Sequence, residues 1–288
     1  ILKKNQCQAL KDKINNKSCK VSIVGMGYVG LALSKAIINS GIDLTGFDIN
    51  RNRIKELKKL GLKIKLTSDI KEIKYSDVII ICLPTPLKQF VHPDLSFMEK
   101  AMSDLIKYVL SEGQLLIIES TYQPGTTRNL ILKYILSEKK SFKIGKNFFL
   151  GYSPERVDPG SKNFSDISAI PKLVSGITTK CSDLTELFYK GFIKDVHKTS
   201  SPEVAELSKL FENTFRAVNI AFIQEMTRIT NRLGMNISEV LEAAYTKPFG
   251  ILPFYPSVGI GGHCIPIDLL YLDSWARTND CYSQFIEL

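Results

Sequence analysis

The sequence predicts an α/β chain in which a doubly wound parallel sheet is followed by an α-helical domain built on one long helix. Three observations carry that expectation. Short β-branched runs alternate with amphipathic helical segments through the first 200 residues, the pattern of a parallel sheet whose crossovers are helices. One of those runs, Val21 to Val24, leads straight into Gly25-Met26-Gly27-Tyr28-Val29-Gly30 and then a helix, the order of a Rossmann-like fold. Beyond this region the alternation stops, and no glycine or proline falls between Pro202 and Gly234. The expected division is a Rossmann-like domain at 1–200 and a helical domain at 201–288.

The elements follow in order. Residues 1–20 read as a polar, basic lead-in. After the first strand and the glycine turn, a helix over 28–40 carries apolar Val29, Leu31, Leu33, Ala36 and Ile37, with Gly41 at its C-terminal cap. A second strand at 44–47 ends in Asp48. Then come a Lys-rich helix at 51–60, a strand at 78–82, a helix at 95–110, a strand at 115–118 and a helix after Thr126. Strands at 148–152, 172–174 and 193–197, with a helix at 182–190, complete the domain. Ser201-Pro202-Glu203 is a helix start. The helix it opens, over 201–233, carries Phe211, Phe215, Phe222, Met226 and Ile229 at helical spacing, and its length suggests a domain-connecting or dimer-forming role. A shorter helix at 238–246 precedes a Pro/Gly/aromatic loop at 247–262.

Composition excludes several classes. With 288 residues, 44% hydrophobic and 23% charged, the chain is neither disordered, collagenous nor a coiled coil. Its longest apolar run, Val78 to Leu83, is far short of the about 20 residues that cross a bilayer, and the Lys-rich start lacks a signal-peptide core. The expectation is a cytoplasmic protein without a membrane partner. Net charge is +9, but the excess sits on amphipathic helices of the first 75 residues without groove-reading motifs, so no nucleic-acid partner is expected. Six scattered cysteines show no C-x-x-C spacing, which argues against a metal site or a disulfide framework.

The glycine turn has a physical purpose. It lets the chain reverse tightly, brings backbone N–H groups up to a pyrophosphate, and aims a helix N-terminus at its charge. Asp48, 18 residues past Gly30, stands where a carboxylate accepts from a ribose 2′-hydroxyl and repels a 2′-phosphate. This favours NAD over NADP, with Arg51 and Arg53 close behind as opposing cations. Gly25, Gly27, Tyr28, Val29, Gly30, Asp48 and Arg53 are therefore candidate cofactor residues.

Other motifs leave strands at the carboxyl edge, where open α/β sheets bind ligands. Thr85, in Cys82-Leu83-Pro84-Thr85-Pro86, reads equally as a cofactor hydrogen-bonder or a cap on a proline-rigid turn. Glu119-Ser120-Thr121 and Gly151-Tyr152-Ser153-Pro154-Glu155 leave the next strands, bringing carboxylates and hydroxyls towards one crevice. Lys209 and Asn213 lie four apart on the long helix, as an oxyanion-binding pair or as a solvated face. In Gly261-Gly262-His263-Cys264-Ile265-Pro266-Ile267-Asp268, Pro266 suits a first helical turn. Cys264 then sits at the positive end, where a thiol ionises more readily. The residues alone leave it either a nucleophile or an inert buried thiol.

Together these residues resemble the UDP-glucose/GDP-mannose dehydrogenase family, over nearly the whole chain from about Lys20. Ile81-Cys82-Leu83-Pro84-Thr85-Pro86-Leu87 with Pro93-Asp94-Leu95-Ser96 is similar to the UDP-N-acetylhexosamine 6-dehydrogenase branch. So are Ser153 to Gly160 and Lys247-Pro248-Phe249-Gly250 before the Cys264 motif. The resemblance implies a four-electron oxidation of a sugar C6 alcohol to a carboxylate, reducing two NAD in turn, with UDP-N-acetylglucosamine ranked first and UDP-N-acetylmannosamine second. It implies that Cys264 attacks an aldehyde and carries a thioester, that Lys209 and Asn213 stabilise the oxyanion, and that Glu155, Thr121 and Asp268 hold or activate water. Thr85 and Thr121 join the cofactor residues on the same ground, and the long helix is expected to form a homodimer.

Two departures accompany the resemblance. Pro159 stands four residues after Glu155, where UDP-glucose enzymes carry a second glutamate. The family also has a C-terminal UDP-binding domain, and this chain is expected to be truncated before it. The competing expectations are a two-electron hydroxyacid dehydrogenase, which shares a Lys-x-x-x-Asn pair, and a truncated, non-catalytic NAD-binding dimer.

Overall fold

Strand β1 (Val21–Val24) is buried along its whole length, as are β4 (Val78–Ile81) and β7 (Leu115–Ile118). Such fully buried strands, apolar apart from Ser22, which hydrogen-bonds Ser76, suit the centre of a parallel sheet covered on both faces. The computed structural model describes residues 5–88, 92–156, 167–261 and 265–287. The remaining strands are β2 (Leu44–Phe47), β3 (Lys65–Thr67), β8 (Phe149–Tyr152), β9 (Lys172–Gly176) and β10 (Val196–Lys198). With β1, β4 and β7 they form an eight-stranded sheet in the order β10-β9-β8-β7-β4-β1-β2-β3. The short pair β5 (Leu87–Lys88) and β6 (His92–Pro93) is a separate antiparallel ribbon.

The chain divides into two units. The first comprises Ile1–Pro86 with Asp94–Lys209, and the second Leu87–Pro93 with Leu210–Leu288. Around the sheet of the first unit stand α1 (Gln6–Asn15), α2 (Tyr28–Asn39), α3 (Arg51–Lys59), α4 (Ser96–Tyr108), α5 (Lys133–Glu138) and α6 (Thr179–Lys190). The Rossmann-like α/β expectation is met, with three differences. The basic lead-in contains α1, which buries Cys7, Leu10 and Ile14; their helical spacing is masked by interleaved lysines. Strand β3 adds a partner to β2. The sheet is also not wholly parallel, because β9 runs antiparallel to β8. A parallel return needs a crossover of a dozen or more residues, usually a helix. Among the described residues between β8 and β9 there is only a 3₁₀ turn, Ile167–Ala169.

Helix α7 (Pro202–Arg232) starts in the first unit and runs into the second, which adds α8 (Ile237–Tyr245), α9 (Ile265–Thr278) and α10 (Gln284–Glu287). The predicted apolar stripe is not the buried face of α7. Ala205, Glu206, Leu210, Asn213 and Ala217 are buried, whereas Phe211, Phe215, Phe222 and Ile229 remain exposed. A cavity of about 710 Å³ in the second unit lies beside the same stripe, lined by Phe222, Met226, Val240 and Leu252 among others. No described helix is long and apolar enough to cross a membrane.

Candidate functional site

The glycine turn between β1 and α2 shows why each glycine is there. Gly25 has φ +96°, and a Cβ on it would stand 2.4 Å from the Cys82 carbonyl oxygen. A Cβ on Gly30 would meet the Gly25 oxygen at 2.1 Å, so this glycine lets α2 pack onto the turn. Gly27 is different: its Cβ would meet no protein atom within 4 Å. The space in front of it is open, where a pyrophosphate needs the backbone bare. Tyr28 is exposed on the first turn of α2 and Val29 is half-buried.

Asp48 stands at the end of β2, half-buried, and one carboxylate oxygen accepts from the Met26 N–H at 2.9 Å while the other accepts from the Asn50 N–H at 2.8 Å. A carboxylate has about four lone-pair sites, so capacity remains for a ribose hydroxyl. Arg53 donates its Nε to the Met26 carbonyl at 2.9 Å. Both side chains thus grip Met26, through the N–H and the carbonyl on either side of its Cα. The loops after β4 and β7 are tied by Ser120, whose Oγ accepts from Leu83 N–H and donates to the Leu83 carbonyl, each at 2.9 Å. This clamp sets half-buried Thr85 and Thr121 on neighbouring loops. The donor set and the open glycine fit NAD.

Further along the edge lies a buried cluster. Lys172 Nζ donates to Glu119 Oε2 at 2.6 Å and to the Pro154 carbonyl at 3.1 Å, and contacts Glu155 Oε2 at 3.5 Å. Tyr189 donates its hydroxyl to the other Glu119 oxygen. Burial pushes the Glu119 carboxyl up to about 7 against the pull of Lys172. Burial opposes the Lys172 charge, but Glu119 and Glu155 more than offset it and raise its affinity for the proton. Burial, reinforced by Glu119, drives the Cys82 thiol well above its ordinary range, which leaves it unreactive. Glu119 therefore does not face an open crevice.

Glu206, on the first turns of α7, accepts from the Gly125 N–H at 2.6 Å, the Thr127 N–H at 2.9 Å and the Thr127 hydroxyl at 2.6 Å. It fastens α7 to the loop carrying Thr121. Lys209 follows one turn later, half-buried. Lys172, Tyr189 and Glu206 are not singled out by the sequence; the one signal it offers is a lysine opening the short apolar run Lys172-Leu173-Val174.

In the second unit, Asn213 Nδ2 donates to Asp268 Oδ2 at 2.5 Å, with both side chains buried. Two predicted residues 55 positions apart are thereby brought together. Cys264 lies outside the described residues; α9 begins at Ile265, with Pro266 and Asp268 in its first turn.

A bare glycine turn and a carboxylate closing β2 define a dinucleotide-binding domain of the dehydrogenase kind, in a chain whose second unit is helical. Residues 19–193 match the NAD-binding domain of the UDP-glucose/GDP-mannose dehydrogenase family, and residues 203–288 match its central domain. The chain belongs to that family, and the cofactor of its first domain is NAD. It is 37% identical over 285 residues to the UDP-N-acetyl-D-glucosamine 6-dehydrogenase of Pseudomonas aeruginosa, covering 94% of this chain and 66% of that protein. The solved UDP-D-ManNAc dehydrogenase of Pyrococcus horikoshii superposes with a TM-score of 0.82 at 32% identity, over 93% of this chain and 66% of that one. A 3-hydroxyisobutyrate dehydrogenase of Mycobacterium tuberculosis, at 15% identity and TM-score 0.70, shares the fold alone. The chain spans 60% to 66% of the length of the curated relatives it matches.

Proposed function

We propose that this chain carries the NAD-binding and central parts of a nucleotide-sugar 6-dehydrogenase. Its substrate is a UDP-N-acetylhexosamine, UDP-N-acetylglucosamine first and UDP-N-acetylmannosamine second, oxidised to the uronate in the cytoplasm. The observation that supports this most is the buried Asn213–Asp268 hydrogen bond. An amide and a carboxylate at one buried point suit a reaction that must stabilise an oxyanion and handle a proton, and Asp268 is four residues after Cys264.

Bound NAD supplies a hydride acceptor, used twice for a four-electron oxidation. The chain's own residues do the rest. Gly27 leaves the backbone N–H groups accessible to the pyrophosphate, and Asp48 accepts from the ribose. Cys264 adds as thiolate to the aldehyde carbon and later carries the acyl group. Lys209 and Asn213 donate to the oxyanion. Glu155, Thr121 and Asp268 hold and deprotonate water for hydrolysis of the thioester. The exposed stripe Phe211, Phe215, Phe222 and Ile229 is an apolar surface of the kind that a second copy of the chain buries, and we assign homodimerisation to it.

NADH formation with each UDP-sugar tests the reading. Two NADH for each sugar consumed are expected. One NADH with an aldehyde or ketone product would replace it by a two-electron dehydrogenase. NAD binding without turnover, in this chain and in one extended by a UDP-binding domain, would leave a non-catalytic NAD-binding dimer.

A further inference from the structure

Because β9 runs antiparallel to β8, the residue that opens it stands where the parallel strands end. That residue is Lys172, 2% exposed. An ammonium has three N–H donors, and three acceptors face it: Glu119 Oε2 at 2.6 Å, the Pro154 carbonyl at 3.1 Å and Glu155 Oε2 at 3.5 Å. Two of these belong to consecutive residues, so Lys172 holds Pro154-Glu155 by backbone and side chain together. The second Glu155 oxygen accepts from the Arg156 N–H at 2.7 Å. Tyr189, from α6, donates to Glu119 and places its ring 5.5 Å from Nζ.

Nothing in the proposed reaction uses Glu119, Lys172 or Tyr189. Buried ion pairs can often be replaced by apolar side chains at no cost to stability, so stability alone does not account for the cluster. The distances point to a different use. The shortest bond of Lys172 goes to Glu119, and its contacts to the Pro154 carbonyl and to Glu155 fix where that carboxylate stands. We propose that Lys172 is a positioning residue for Glu155, with Glu119 and Tyr189 holding the ammonium in place. This rests on the functional reading above, in which Glu155 serves thioester hydrolysis. In that step the water oxygen bonds to the acyl carbon, and the carbon–sulfur bond breaks with its electron pair on the Cys264 sulfur. Glu155 takes the water proton; nothing is oxidised or reduced.

The test compares the wild-type chain with Lys172→Met/Glu119→Gln, which removes one cation and one anion together. Under saturating NAD and UDP-sugar, first-turnover NADH should stay within about twofold of wild type while steady-state turnover falls at least about tenfold. Intact-protein mass after acid quench should show a uronyl adduct accumulating only in the variant. A merely structural Lys172 would lower the melting temperature without changing that ratio or leaving an adduct. If the double variant does not fold, Glu119→Gln alone decides. Its ammonium is released onto Glu155, and turnover should fall at least about fivefold with the same adduct. Unchanged turnover without adduct in either folded variant overturns the assignment and spares the function. A wild-type chain that reduces no NAD with either sugar, by itself and when extended by a UDP-binding domain, overturns both.

Discussion

Replacing Glu206 with alanine would unfasten α7 from the Thr121 loop. The change orphans the Gly125 and Thr127 amides, 2.6 and 2.9 Å from the carboxylate, while the Thr127 hydroxyl is free to turn. A buried donor left unmet costs about 1–3 kcal/mol, so two amides are worth on the order of 4 kcal/mol. That loss depends on pH with a definite sign. Burial outweighs the three donors and raises the Glu206 carboxyl from 4.5 to about 7. Across this window the folded chain binds a proton that the unfolded chain has released, so wild-type stability falls as pH rises through it. A rise from 4.5 to about 7 corresponds to about 3 kcal/mol. Alanine has no proton to lose. Its penalty should therefore be largest near pH 5 and about 3 kcal/mol smaller near pH 8.5. Urea unfolding followed by far-UV circular dichroism reads this, because the single tryptophan, Trp275, lies in the second unit. Hydrogen exchange at Gly125 and Thr127 gives the local readout. A penalty that grows with pH, or unchanged exchange at those two amides, refutes the reasoning.

Further outcomes are expected at four positions. Gly25→Ala puts a methyl 2.4 Å from a carbonyl oxygen at φ +96° and should cost at least about 3 kcal/mol in urea unfolding. Gly27→Ala meets no protein atom and should keep stability within about 0.5 kcal/mol yet weaken NAD binding at least about tenfold by calorimetry. Asn213→Ala should lower turnover about 100-fold by removing an oxyanion donor; Asn213→Asp should destabilise more at pH 8 than at pH 5, since two adjacent carboxylates there share a proton, as urea midpoints at the two pH values will show. Cys264→Ala should abolish two-NADH turnover in the stoichiometric assay, and turnover left intact would remove the thioester.

What could be read from the sequence was whatever depends on neighbours along the chain. The strands at Val78–Ile81 and Leu115–Ile118 are continuous apolar runs, Val21–Val24 is apolar but for Ser22, and the glycine turn with Asp48 is a local pattern whose geometry follows from tight backbone contacts. Helix α7 was legible because nothing breaks it for 31 residues. Its buried face was not. An apolar stripe names a face that seeks cover without saying what covers it. The inward face instead carries Glu206 and Asn213, whose partners Gly125, Thr127 and Asp268 are distant in sequence.

The antiparallel turn of β9 is the part that no local pattern encodes, and it changes what the sheet edge can hold. In a wholly parallel sheet that edge receives only residues that follow their strands, here Asp48, Thr85, Thr121 and Glu155. A strand run backwards delivers the residue that opens it, and so a lysine enters beside Glu119 and Glu155. Two carboxylates converging at one buried edge would repel one another, and one would take up a proton. With Lys172 between them, both retain partners and Glu155 keeps a fixed place. The mixed sheet is thus the topological condition for a carboxylate that is both buried and fixed in place.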